Sequence, residues 1–158
     1  MQRKIRLAPR YPKAISCLQQ PTIKGNTSMA KNYFVQISTD PEVDPRKCVI
    51  GIACAAQAAI DGHTVDIFFA SHAVRLLHEE FITSLDQHVS QETGWCKSMM
   101  QTLIDQAQGI YCSTGSQEVV GVTPDNAHEV LIAGLDLNWS GPPGVVALSS
   151  QADVVLTY

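Results

Sequence analysis

Three features of the sequence predict a three-layer α/β/α sandwich with a mainly parallel sheet of about five strands. From residue 29 onward, short β-branched and aromatic runs alternate with segments whose apolar residues recur at helical spacing. The segments between successive runs are long enough to carry crossover helices, which parallel pairing requires. The chain has 158 residues and is 45% apolar, the scale of a single core. Right-handed crossovers then put helices on both faces of the sheet.

The first strand spans residues 33–38 and is followed by Asp40, Pro41, Asp44 and Pro45, which punctuate a loop and open a helix over 46–61. Val49, Ile52, Ala53, Ala56, Ala59 and Ile60 form its inner face, and Gly62 fits the C-terminal cap. The alanines and Gly51 let this helix lie close to the sheet. A buried strand over 64–70 comes next, and Ser71 then caps a helical stretch containing Val74, Leu77 and Phe81. Residues 83–94 are polar and read as irregular. A helix over 95–108 follows, with Met99, Met100, Leu103 and Ile104 inward, and leads to a strand at 110–112. Ser113, Thr114 and Ser116 suit the start of another helix, ending near Gly121. A fourth strand is expected at 130–133, Gly141-Pro-Pro-Gly reads as a rigid turn, and a last helix over 143–152 precedes a strand over 153–158.

Residues 1–28 hold Arg3, Lys4, Arg6, Arg10, Lys13 and Lys24 with no acidic residue, beside Pro9, Pro12 and Pro21. They read as a disordered extension outside the fold, since they lack the apolar core of a secretory signal. The domain division is therefore 1–28 and 29–158. The whole chain has a net charge of −4, and with the basic residues of 1–28 set apart the remainder is distinctly acidic, which disfavours direct binding of nucleic acid by the folded domain. No apolar run approaches the roughly 18 residues needed to cross a bilayer, so no membrane partner is expected. The five cysteines, Cys17, Cys48, Cys54, Cys96 and Cys112, form no CxxC and no metal-ligand spacing with histidine. Free thiols in a reducing, cytoplasmic compartment are the expectation, with no metal and no organic cofactor.

Ligands of open parallel sheets bind where strands end and helices begin. In Tyr-Cys-Ser-Thr-Gly-Ser at 111–116 a thiol stands at such a place, and an exposed cysteine beside a helix start has its thiolate favoured. The alternative is an inert, buried Cys112 that packs as a small hydrophobe. Cys96, beside Lys97 at a helix start, has a similar claim, whereas Cys48 and Cys54 read as packing residues. His72, just after the second strand, could orient or deprotonate a thiol, although a histidine so placed more often caps or packs. His63, His78, His88 and His128 form no ligand pattern. There is no GxGxxG, Walker or GxSxG motif.

In order along the chain stand Ala-Ile-Asp-Gly-His at 59–63, Val-Asp-Ile-Phe-Phe-Ala at 65–70, Gly-Ile-Tyr-Cys-Ser-Thr-Gly-Ser-Gln-Glu-Val-Val-Gly-Val at 109–122 and Gln-Ala-Asp-Val-Val-Leu-Thr-Tyr at 151–158. Together they resemble the DsrE/DsrF-like sulfur-relay family, which includes TusD-type and YchN-like proteins. The resemblance covers residues 29–158 and implies an oligomeric α/β/α sandwich, with a homo-oligomer expected here. It implies that Cys112 carries sulfur as a persulfide, received from a donor protein and passed to an acceptor protein in the manner of a sulfurtransferase. Ser113, Thr114, Gly115 and Ser116 would stabilise the persulfide anion and His72 would assist. The alternative on the same fold is a non-catalytic small-ligand-binding or structural subunit.

Overall fold

The computed structural model describes residues 29–89 and 91–158. The basic stretch 1–28, with Cys17, lies outside the described residues. Five parallel strands form one sheet in the order β4-β3-β2-β1-β5. They are β1 (Asn32–Ile37), β2 (Thr64–Phe69), β3 (Gly109–Ser113), β4 (Leu137–Ser140) and β5 (Val154–Thr157). Val35, Ile37, Val65, Ile67, Phe69 and Ile110 alternate onto one face and build the main core. Phe34 and Phe68 are buried on the other face, where Phe68 stacks on Tyr111 at 6.3 Å between ring centroids.

Helix α1 (Pro45–Ile60) covers the main core. Its start is fixed by the Asp44 side chain, which accepts from the Lys47 amide at 3.0 Å, and by proline in the first turn. Gly51 permits its close approach to the sheet: a Cβ there would lie 2.8 Å from Ile37 Cδ1 and 3.0 Å from the Tyr158 ring. The stretch after β2 is not one helix. A seven-residue 3-10 helix, Ser71–Leu77, comes first and buries Ala73, Val74, Leu76 and Leu77 completely.

Helix α2 (Glu79–Val89) then occupies most of the region whose polarity suggested an irregular segment. Ile82, Leu85, Asp86 and Val89 are buried at helical spacing, so a narrow stripe of inward positions suffices to hold a mostly polar helix. The buried polar member has a structural task. Helix α3 (Trp95–Gln106) begins at Gly94, which has φ 89° and no side chain to cap it. Asp86 reaches across from α2 and accepts from the Gly94 amide at 2.6 Å and the Cys96 amide at 2.8 Å.

Helix α4 (Thr114–Val119) follows β3 and ends beside Gly121, as its capping residues suggest. The strand expected at 130–133 is absent. The single-turn helix α5 (Ala127–Val130) stands there, and Leu131 makes only an isolated antiparallel bridge to His78. The fourth strand comes later, at β4, because Gly134 turns the chain with φ 82° before the alternating Leu-Asn-Trp-Ser run. Gly141-Pro-Pro-Gly is not a free turn but opens α6 (Pro142–Gln151), with proline at its first position. Helix α6 packs on the second face near Phe68 and Ser140, which completes the three layers.

Replacing Asp86 with alanine leaves two main-chain donors at the start of α3 without their acceptor. The expected loss is about 3 kcal/mol of stability by chemical denaturation, with a smaller loss for Asp86→Asn, which keeps one acceptor oxygen.

Candidate functional site

The crossover order changes direction between β1 and β5, the place where open α/β sheets usually hold ligands. Here the chain fills it: the Ser38 and Thr39 amides both donate to the Tyr158 carbonyl, at 2.8 and 3.3 Å. The available crevice lies instead at the ends of β2 and β3. Ser71, His72, Ser113, Gly115 and Ser116 line a cavity of about 340 Å³ there, together with Val119 and Val120. A larger cavity of about 730 Å³ lies on the flank of the 3-10 helix and α2, beside Arg75, His78, Glu79 and Glu129, away from the strand ends.

His72 is half exposed, and its Nδ1 lies 3.7 Å from a carboxylate oxygen of Asp40, in the loop after β1. Ser71 has φ 54°, unusual for a residue with a side chain, and its amide donates to Ser116 Oγ at 3.0 Å. Ser113 caps α4, its Oγ accepting from the Ser116 amide at 3.3 Å. Five residues that the sequence places in separate loops are thus brought to one crevice. Neither Thr114 nor Cys112 lines it.

Cys112 is the main correction. It is paired in register with Phe69 on one side and Trp139 on the other, and it is 0% exposed rather than open to solvent. Strand alternation puts it on the same face as Ile110, and the 3-10 helix and α4 pack on the strand that carries it. A helix does begin beside it, at Thr114, but no charged neighbour offsets the loss of water. Burial pushes the thiol up to about 12, opposite to the expected lowering.

Cys96 is also sealed, at 1% exposure, and its thiol is pushed up by burial and by the Asp86 carboxylate beside it. Lys97, expected to favour a thiolate there, is engaged instead by Glu79. Cys48 is fully buried, donates to the Thr39 carbonyl at 3.3 Å and is pushed up to about 11, chiefly by burial. Cys54 is half-buried beside Tyr158. No grouping of three or more histidine, cysteine or carboxylate side chains suited to a metal ion occurs among the described residues. None of their helices is long and apolar enough to cross a membrane.

Sequence reasoning missed Gln117. This α4 side chain is 0% exposed; its Nε2 donates to the Val74 carbonyl at 3.5 Å and its Oε1 lies 3.1 Å from His78 Nε2. Nothing in the sequence marks it, since a glutamine two positions beyond Gly115 fits a solvated helix face equally well.

No protein-family model matches the sequence, and no curated protein matches it. Among solved structures, the chain is similar to the YchN protein from E. coli, with a TM-score of 0.52 and 18% identity over 82% of this chain and all of that one. The five-stranded parallel sheet with helices on both faces is therefore a fold shared with YchN.

Proposed function

We propose that the protein is a cytoplasmic sulfur carrier that holds sulfur as a persulfide on Cys112 and transfers it between donor and acceptor proteins. The observation that carries this reading is the position of Cys112: it stands at the carboxyl end of β3, one residue before the serine that caps α4 and the crevice that Ser113 lines. The fold shared with YchN supports it. In the transfer, the Cys112 thiolate attacks the outer sulfur of the donor persulfide, the donor's S–S bond breaks, and the donor leaves as a thiolate. The acceptor thiolate repeats the step on Cys112, so no external oxidant or reductant is consumed. In this reading His72, whose Nδ1 lies 3.7 Å from Asp40, takes up the Cys112 proton when the thiol is uncovered, and Ser113, Thr114, Gly115 and Ser116 stabilise the sulfur anion.

The sealed thiol favours a second reading. In it the crevice between Ser71 and Ser116 binds a small polar ligand and Cys112 is incidental. A ligand-induced rise in melting temperature that persists in Cys112→Ala, with no sulfur uptake by wild type, would select this reading.

Assembly into a homo-oligomer belongs to the same proposal. Helix α6 carries no charge and buries no residue fully, and Val146 and Val155 are 67% and 46% exposed. A second copy would cover these side chains.

Intact mass after incubation with a glutathione persulfide donor should show one added sulfur on wild type and none at residue 112 in Cys112→Ser; equal loading of the two proteins would end the sulfur-carrier reading. Val146→Glu should lower the oligomeric state in sedimentation velocity without unfolding the protein, and an unchanged assembly would remove α6 from the interface. Stability should also report the closed thiol. A proton bound more tightly in the folded state gives stability that is complete below the unfolded thiol's pKa near 9 and is lost as pH rises towards the folded values of about 11 for Cys48 and 12 for Cys112. Between pH 8 and 10 wild type should therefore lose about 1.4 kcal/mol more than Cys112→Ala in urea unfolding.

A further inference from the structure

Beyond its neighbouring strands, β3 is packed mainly by α4 and by the 3-10 helix. The latter starts two residues after Phe69, the register partner of Cys112, and its buried Ala73, Val74, Leu76 and Leu77 share the core cluster that holds Cys112. Two features set this segment apart from the rest of the fold. Seven residues is long for 3-10 geometry, whose hydrogen bonds are poorer than those of an α-helix. Its entry at Ser71 has positive φ, and the residue before it, Ala70, has no side chain that could cap it.

Consecutive residues of α4 hold it at three points. Ser116 Oγ accepts the Ser71 amide at its start, Gln117 Nε2 donates to the Val74 carbonyl in its middle, and Gln117 Oε1 meets the His78 ring at its end. A carboxamide at 0% exposure is costly unless satisfied, and here its partners all belong to the segment it holds. The outer ties are the Arg75 to Glu42 ion pair at 2.7 Å on the surface and the Ile132 amide on the Leu77 carbonyl at 3.0 Å. Ser116 also lines the crevice, so a polar group entering there meets the hydroxyl that anchors Ser71.

We propose that Ser116 and Gln117 form a latch that keeps the 3-10 helix closed over Cys112, and that occupation of the crevice at Ser116 releases it. This rests on the reading of Cys112 as the sulfur carrier and supplies its regulation: the thiol is shielded at rest and uncovered when a donor engages the crevice. Gln117 and Ser116 are positioning residues, acting through the segment rather than on sulfur.

Three buried thiols provide an internal control, since Cys48 and Cys96 are sealed as Cys112 is but lie outside the latch. The full chain is alkylated with iodoacetamide under native conditions and each cysteine is followed by peptide mass mapping. In Gln117→Leu and Ser116→Ala the Cys112 rate should rise roughly tenfold, the effect of losing about one such hydrogen bond, while the Cys48 and Cys96 rates stay at their wild-type values. Equal acceleration of all three thiols, or no acceleration at Cys112, overturns the latch. Should Gln117→Leu fail to fold, Ser116→Ala decides by the same ratio. Selective acceleration in a protein that never takes up sulfur leaves the latch standing and removes the carrier reading. Sulfur uptake with an unchanged alkylation ratio does the reverse.

Discussion

The register between β2 and β3 is the constraint on which the site depends. Pairing Phe69 with Cys112 fixes where β2 stops relative to β3, and hence where the chain turns across the sheet. Side chains alternate with a period of two, so this register puts the thiol on the core face and Ser113 on the other. A slip by one residue would carry Cys112 to the opposite face and turn a serine into the main core. The full burial of Val74, Leu76 and Leu77 opposes that slip, since each must find the same apolar face.

The crevice and the thiol are therefore adjacent but separate. Ser71, His72 and Ser116 meet solvent at the strand ends, while the sulfur lies behind the backbone that carries them. Hydrogen bonds from α4, rather than apolar packing alone, fasten this backbone, and hydrogen bonds can be exchanged for those of an incoming group. A thiol held this way is kept from casual oxidation, because a protonated and covered thiol is a poor target.

Much of this architecture was legible in the sequence, and the failures have local causes. Helix α1, the β3 to α4 turn and the closing helix and strand follow from strong signals: apolar spacing, serine and proline at helix starts, and glycine at their ends. Helix α2 was obscured because four inward residues suffice for it, one of them the aspartate that serves α3. The run at 130–133 is β-branched and apolar enough for a strand, but α5 and the bridge to His78 claim it. The exposure of Cys112 was illegible for a different reason. Position at a strand end can be inferred from pattern, whereas what lies across that end depends on how the next segment turns. A 3-10 helix with a positive φ at its first residue has no distinct sequence signature.

The placement of β5 against β1 joins segments from nearly opposite ends of the described chain. During synthesis β1 pairs with β2 on one flank, while its other flank waits for a strand that comes after β4 in the chain. Throughout that interval β1 is an open edge, with main-chain groups available to any extended segment nearby. The nascent sheet is thus most vulnerable to association with another chain until Val154–Thr157 leaves the ribosome and docks.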